Sequence, residues 1–117
     1  MNLPQEAELL RVFIGEQDRL DGRPLYERLV EEAHRRGLAG ATVLRGIAGF
    51  GATSRLHTAK ILRLSEDLPL VVEIVDAPAK ITEFIPWLED AMHGGGIVTC
   101  EPVRVRLQRA AAPPAKP

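Results

Sequence analysis

Residues Gly40–Lys60 carry the most informative part of the sequence, which reads GATVLRGIAGFGATSRLHTAK. The first residues have the character of a β-strand, and a Gly49-Phe50-Gly51 turn then leads into a polar, basic loop. Glycines at the end of a strand allow backbone conformations that residues with a Cβ avoid, and they let backbone N–H groups approach a ligand closely. The segment therefore predicts an anion-binding or partner-binding loop carried on a rigid sheet.

The sequence on either side of this segment predicts the elements of one small domain. Alternating or continuous apolar residues indicate strands over Leu9–Gly15, Ala41–Ile47, Leu70–Val75 and Ile97–Leu107, with further strand character at Ala59–Leu64. A first helix begins near Pro24, and its apolar stripe consists of Leu25, Leu29 and Ala33. A second helix opens at Asp76-Ala77-Pro78, with an apolar face formed by Ile81, Phe84, Ile85, Leu88 and Met92. We expect Pro86 to kink or shift this helix and Pro102 to mark an edge strand or a bulge.

The order β-α-β-β-α-β predicts an α+β fold, the ferredoxin-like sandwich, with two helices on one face of an antiparallel sheet. The other face of the sheet carries Arg11, Phe13 and Glu73, and no remaining segment is available to cover it. A sheet face that is left bare in this way indicates an oligomer. We divide the chain into a flexible arm over residues 1–7, a domain over residues 8–107 with its loop at 48–60, and a disordered tail over residues 108–117.

Composition excludes several classes of function. The chain has 117 residues, a formal net charge of −1 and 4% aromatic residues, so neither a basic surface nor aromatic stacking platforms favour a nucleic-acid partner. The one cysteine, Cys100, excludes an intrachain disulfide and fits a reducing compartment. The sequence contains no apolar run long enough for a membrane span and no secretory signal, so we expect a cytoplasmic protein without membrane insertion.

Three groups of residues are candidates for a binding site. The loop around Gly49 combines closely spaced glycines with arginines and could hold a phosphate, or it could simply connect two strands. Arg104 and Arg106 share one face of a strand and could clamp an anion; alternatively, they could simply lie on an exposed strand face or pair with Glu73 or Glu101. The Gly94–Gly96 turn could form an anion nest, or it could only end the second helix.

No catalytic or metal motif is apparent in the sequence. His34, His57 and His93 are too far apart in sequence to form a local metal motif. No serine or cysteine lies beside a base that would activate it. We therefore do not expect an enzyme.

The run GLAGATVLRGIAGFGATSRLHTAKILRLSEDLPLVVEIVD, followed by an amphipathic helix, a glycine-rich turn and PVRVRL, resembles the PII-like family of uncharacterised bacterial and archaeal proteins. The likeness covers about residues 8–107. More distantly, the chain resembles the PII nitrogen-regulatory signalling proteins, in short patches that include Glu73-Ile74-Val75. The loop is shorter than in those proteins and lacks their modified tyrosine, since the only tyrosine is Tyr26.

The PII resemblance implies a homotrimer of ferredoxin-like subunits that binds ATP, ADP or AMP as an effector in clefts between subunits and requires no cofactor. It places Thr42 near the adenine or ribose, and Gly49, Phe50 and Gly51 at the base of the signalling loop. It also implies that the Gly94–Gly96 turn lies beside the phosphates and that Arg104 and Arg106 reach them from the neighbouring subunit. The residues carried over as binding residues are Thr42, Gly49, Phe50, Gly51, Glu73, Gly94, Gly95, Gly96, Arg104 and Arg106.

The sequence and the resemblance together predict a trimeric signalling protein. It would sense an adenine nucleotide or another small anion and control a partner protein, such as a channel or transporter, through the 48–60 loop. The main alternative is a divalent-metal-binding trimer of the same fold, with His57, His93 and Glu73 as candidate ligands. Two further alternatives are a small enzyme with His57 as general base and a trimer that binds no ligand.

Overall fold

The computed structural model describes residues 3–50, 67–93 and 95–109. Its elements in chain order are β1 (Glu6–Gly15), β2 (Arg19–Leu20), β3 (Arg23–Pro24), α1 (Leu25–Arg35), β4 (Thr42–Arg45), β5 (Pro69–Asp76), α2 (Pro78–Ala91) and β6 (Ile97–Arg104). The predicted strand at Ala59–Leu64, most of the 48–60 loop, Gly51 and Gly94 lie outside the described residues. No helix in the described ranges is both long enough and apolar enough to cross a membrane.

The main sheet has four strands in the order β4-β5-β1-β6, and every neighbouring pair is antiparallel. The strands β1 and β4 are therefore separated by β5, and α1 makes the connection between them across one face of the sheet. The helix α2 connects β5 to β6 on the same face. This arrangement confirms the predicted α+β class and is consistent with the ferredoxin-like sandwich.

The core lies between the two helices and one face of the sheet. Alternate residues of the two central strands point into it, and the fully or nearly buried ones are Leu10, Val12, Ile14, Leu70, Val72 and Ile74. The helices contribute Leu25, Leu29, Ala33, Ile81, Phe84, Leu88 and Ala91. The apolar stripes predicted for both helices are thus confirmed. The helix α2 also continues through Pro86, which is exposed and does not end it.

Several strand ends differ from the predicted ones because strand pairing, and not alternation, decides where a strand stops. β1 starts at Glu6, since Glu6 pairs with Arg104 and Ala7 pairs with Val103, so two residues assigned to the arm belong to the sheet. β4 is shorter than predicted because only Thr42–Arg45 pairs with β5. β6 ends at Arg104, three residues before the predicted end, and lies at the edge of the sheet as Pro102 indicated.

A two-stranded hairpin, β2–β3, was not predicted as strands, although its turn was. Asp21 and Gly22 both have positive φ, 54° and 77°. Two consecutive positive φ values match the tight turn that the twist of paired strands favours. The hairpin leads directly into α1, whose first turn follows Pro24.

The second face of the sheet is uncovered by any described element, as predicted. Its residues form rows across the strands. The row Ile97, Phe13, Val71 and Leu44 is apolar, and the next row is Thr99, Arg11, Glu73 and Thr42. Phe13 is 37% exposed, Leu44 49% and Ile97 48%. We call the first set the apolar row and the second the polar row.

Candidate functional site

An ion cluster occupies the centre of the uncovered face. The Arg11 Nε donates a hydrogen bond to Glu73 Oε2 at 2.9 Å, and its Nη1 donates to Glu101 Oε1 at 2.6 Å. Arg11 lies on β1, Glu73 on β5 and Glu101 on β6, so one guanidinium group links three strands. Hydrogen bonds to Glu73 and then to Glu101 hold the pKa of Arg11 above its ordinary value. We call these three residues the Arg11 triad.

A groove begins on the far side of Glu73 from Arg11. It has a volume of about 290 Å³, and its lining includes Glu73 together with Thr42, which lies directly opposite Glu73 on β4. The remaining lining residues are Leu3, Leu9, Ala39, Gly40, Ala41, Val75 and Gln108. The groove therefore offers a hydroxyl and a carboxylate beside apolar side chains. A flat polar molecule such as a nucleobase with its sugar matches that mixture.

A second groove adjoins the first at the arginine end of β6. It has a volume of about 560 Å³, and it shares the lining residues Leu3 and Gln108 with the first groove. Arg106 contributes to its wall. The backbone N–H of Leu3 donates to Gln108 Oε1 at 2.5 Å, which fixes the two segments between the grooves. Thr42 and Glu73 thus line one groove and Arg106 lines the adjoining one, and we call the two together the strand-end groove.

Arg104 and Arg106 differ in position. Arg104 is the last residue of β6, whereas Arg106 lies beyond it, after Val105 has donated its N–H to the Gln5 carbonyl at 2.8 Å. Both arginines are exposed, and neither forms an ion pair with another described residue. Within the described residues of one chain neither arginine pairs with Glu73 or Glu101, which both pair with Arg11, and the exposed positions of Arg104 and Arg106 fit an exposed strand face as well. Their guanidinium groups remain available for an anion.

The base of the predicted signalling loop lies at the opposite end of the sheet. The Gly46 N–H donates to the Pro69 carbonyl at 2.7 Å, and Arg45 forms an ion pair with Glu16. Gly49 has φ = 147°, which requires glycine, and Phe50 is 67% exposed. The structure therefore fixes the start of the loop to the first residue of β5 and leaves the Phe50 ring on the surface.

The glycine turn before β6 acts in packing. The N–H of Gly95 donates to the Met92 carbonyl at 2.8 Å, so it is already used and does not point towards an anion. Gly96 has φ = 139°, and a Cβ there would lie 2.8 Å from the Phe13 carbonyl oxygen. Gly96 is thus needed so that the chain can pass close to β1.

The predicted binding residues fall into two groups in one chain. Gly49, Phe50, Gly95 and Gly96 lie at the loop end, while Arg104 and Arg106 lie at the other end, with Thr42 and Glu73 between them. Arg104 lies seven residue steps along β6 from Ile97, which corresponds to about 24 Å. A small ligand that contacts both groups must therefore lie between two copies of the chain.

Metal binding gains no support from this geometry. In residues 3–50, 67–93 and 95–109, no three histidine, cysteine, aspartate or glutamate side chains are grouped so that they could hold an ion. The carboxylate of Glu73 is bonded to Arg11, and His57 lies outside the described part of the chain. The metal-binding alternative remains without a structural observation in its favour.

Sequence reasoning missed three charged residues that organise the site. The sequence places both Arg11 and Glu101 in predicted strands, but the ion pair between them depends on the register of β1 with β6. Asp76 is 1% exposed, and it accepts the N–H groups of Ala39 at 2.9 Å and Ala77 at 2.7 Å. It therefore holds the Ala39–Thr42 wall of the strand-end groove. A lone carboxylate at the end of an apolar strand was the available signal.

Comparison with known proteins gives one family. The family model DUF190, described as "Uncharacterized ACR", matches residues 7–105. A UPF0166 protein of Aquifex aeolicus is 42% identical over 100 residues, which cover 86% of this chain and 93% of that protein. A UPF0166 protein of Methanocaldococcus jannaschii is 31% identical over 93 residues, which cover 80% and 85% of the two chains. A second UPF0166 protein of Aquifex aeolicus is 34% identical over 77 residues, covering 66% and 74%.

Proposed function

The chain belongs to the DUF190 family of uncharacterised proteins, and from this premise and the geometry of the strand-end groove we propose that it is a cytoplasmic, trimeric nucleotide sensor. Its effector is an adenine nucleotide bound between copies of the chain. The bound effector biases the 48–60 loop between conformations with different affinity for a partner protein, such as a channel or transporter. Such a switch requires that the effector binds the two conformations unequally.

The observation that carries the proposal is that the two parts of the strand-end groove adjoin at Leu3 and Gln108. One part offers Thr42 and Glu73, which suit the hydroxyls and amines of a nucleoside, and the other offers Arg106, which suits a phosphate. Arg104 lies nearby with no ion-pair partner in the described segments. The resemblance to PII proteins names the same residues for the same class of ligand, although it takes the two arginines from the neighbouring copy.

The uncovered sheet face supports the assembly of copies. The apolar row leaves Phe13, Leu44 and Ile97 partly exposed, and burying them removes apolar area from water. The two groups of binding residues lie about 24 Å apart on one chain, so they meet on one ligand only when a neighbouring copy supplies the second group. Assembly and ligand binding are therefore parts of one proposal.

The test is a titration of the purified full-length chain with ATP, ADP and AMP by isothermal calorimetry. We expect saturable binding of at least one nucleotide, and at least about a tenfold loss of affinity in Arg104→Ala or Arg106→Ala, because a charge-assisted hydrogen bond to phosphate is removed. Thr42→Val should weaken binding less, since only a hydroxyl is lost.

Arg19→Ala is the matched control. Arg19 is also an exposed arginine without an ion-pair partner among the described residues, but it lies beyond the other end of β1. Its replacement changes the net charge by the same amount and should leave affinity unchanged. Equal affinity in wild type, Arg104→Ala and Arg106→Ala would remove these arginines from the site, and no binding of any nucleotide would refute the sensor function.

A further inference from the structure

The Arg11 triad is unusual for a surface ion cluster because it lies in the middle of a sheet face. Arg11 is held on both sides by carboxylates from the neighbouring strands, at 2.9 Å and 2.6 Å. The side chains of Arg11, Glu73 and Glu101 are 38%, 31% and 51% exposed. The apolar row runs directly beside them. Charges and apolar side chains therefore share the one face that no described element covers.

We infer that Arg11 controls assembly of the chain with a second copy, by donating hydrogen bonds to two carboxylates on the face that the copy covers, and that it links this assembly to the strand-end groove through Glu73. The inference rests on the proposed assembly of copies and adds the residue that governs it. The occupant of the face is thus a second copy of this chain.

The cost of burying charge is the first argument. A solvent-exposed ion pair contributes little to the free energy of folding, so the triad would stabilise the chain only slightly on a face that remains in contact with water. When a face is covered, an unpaired carboxylate is strongly unfavourable, whereas a hydrogen-bonded pair is tolerated. Arg11 satisfies Glu73 and Glu101 together and so makes the face compatible with burial.

Charge complementarity favours a second copy as the occupant. The triad has one guanidinium and two carboxylates, which leaves it with an excess of negative charge. The same chain carries Arg104 and Arg106, which have no ion-pair partner in the described part of the structure. In the absence of a nucleotide, a second copy therefore provides both an apolar row and positive charge that no described residue pairs, whereas a purely apolar surface would provide only the first.

Glu73 is the link between the face and the groove. Its Oε2 accepts the bond from Arg11, while its Oε1 accepts no hydrogen bond from any residue in the described ranges. A ligand that donates a hydrogen bond to Oε1 shares this carboxylate with Arg11 and so weakens the negative charge that Arg11 pairs with. Coupling between two binding events is reciprocal. A ligand that strengthens or weakens the ion pair between Arg11 and Glu73 therefore also changes the affinity between copies.

The experiment compares full-length variants by sedimentation equilibrium without nucleotide. We expect Arg11→Met to weaken association by about ten- to a hundredfold, because two carboxylates lose their partner on a covered face. The triple variant Arg11→Met, Glu73→Gln, Glu101→Gln should return to within about threefold of wild type, since no charge is left unpaired. Circular dichroism melts establish that each variant is folded.

The control is Arg23→Met, which breaks ion pairs with Glu27 and Glu31 beside α1, away from the sheet face. It should associate as wild type does. Three outcomes would each overturn the inference. Arg11→Met could associate as strongly as wild type, or the triple variant could associate as weakly as Arg11→Met. Wild type could also be monomeric at all concentrations.

A second measurement separates this inference from the proposed function. Sedimentation is repeated with saturating ADP, and the ligand should change the association of wild type but not of Arg11→Met. The chain could bind no nucleotide, and Arg11→Met could still weaken association while the triple variant restores it. That result would refute the sensor function and support the role of Arg11 in assembly. Equal effects of ADP on wild type and Arg11→Met overturn the link through Glu73.

Discussion

At the scale of single residues, the stability of the fold depends on a few residues that other residue types cannot replace. Gly96 allows the chain to pass against the backbone of β1, and Glu32 holds two arginines at the end of α1. Glu32 is 7% exposed, and its carboxylate accepts hydrogen bonds from Arg35 Nε at 3.1 Å and Arg36 Nε at 2.7 Å. Arg36 also lies over the Phe84 ring, 5.8 Å from its centroid. This cluster connects α1 to α2.

Gly96→Ala should destabilise the fold by about 2 to 3 kcal/mol. The added Cβ would lie 2.8 Å from the Phe13 carbonyl oxygen and in contact with Met92, at a φ of 139° that residues with side chains rarely adopt. Urea unfolding measures the loss. Gly40→Ala is the control, because a Cβ at Gly40 meets nothing within 4 Å. Equal stability of the two variants would contradict the close approach at Gly96.

Stability should fall as the pH is lowered from about 5 towards 2. Hydrogen bonds from Arg35 and then Arg36 lower the pKa of Glu32 from 4.5 to about 2. A carboxyl with a lowered pKa in the folded state stabilises the fold fully above its unfolded pKa, and this contribution is lost as protons bind. The contribution is about 1 to 2 kcal/mol, because both guanidinium groups remain partly in water.

Thermal melts of Glu32→Gln between pH 2 and 6 test this assignment. The variant should be less stable than wild type at pH 6 and should lose less stability on acidification. Glu89→Gln, at an exposed position on α2, should follow wild type throughout. Parallel pH curves for wild type and Glu32→Gln would show that Glu32 does not contribute.

At the scale of elements, Asp76 joins parts of the chain that are distant in sequence. It ends β5, and its buried carboxylate binds the backbone of Ala39 before β4 and of Ala77 at the start of α2. One side chain thus sets the entry to a strand and to a helix, and it shapes the wall of the strand-end groove. Its role is structural and also positions the site.

Asp76→Ala should cost about 1 to 3 kcal/mol, because two part-buried backbone N–H groups lose a charged acceptor. Chemical denaturation measures the change. Asp90→Ala, which removes an exposed carboxylate from α2, should be nearly neutral. If both variants unfold at the same denaturant concentration, the hydrogen bonds of Asp76 do not contribute to the free energy of unfolding.

At the scale of the whole molecule, the two sides of the sheet have different tasks. One side is filled by the helices and forms the core. The other side presents an apolar row beside a polar row, and it ends at the strand-end groove. The described residues of one chain complete the first side and leave the second uncovered, and the proposed function therefore uses more than one copy.

Phe13→Asp should weaken self-association by at least about tenfold, because it places an unpaired charge in the apolar row. Size-exclusion chromatography with light scattering over a range of concentrations measures the effect. Ala79→Asp introduces the same charge at an exposed position of α2, on the helical side, and should leave association unchanged. Unchanged association of Phe13→Asp would mean that copies meet elsewhere.

The sequence by itself determined the features that depend on local periodicity. Alternation placed Leu10, Val12 and Ile14 on one face of β1 and Arg11 on the other, and the 3.6-residue period identified the buried stripes of both helices. The element order then limited the fold to a sandwich with one bare sheet face. The resemblance selected candidate binding residues, and the structure assembled only some of them.

Tertiary structure alone decided which residues meet. The register of β1 with β5 and β6 brings Arg11 between Glu73 and Glu101, and it prevents those carboxylates from pairing with Arg104 or Arg106. The return of the chain after β6 brings Gln108 beside Leu3 and thereby joins Arg106 to the groove of Thr42 and Glu73. Such contacts join residues far apart in the chain. Local patterns carry no information about them, because the pairing of strands is set by the packing of the whole core.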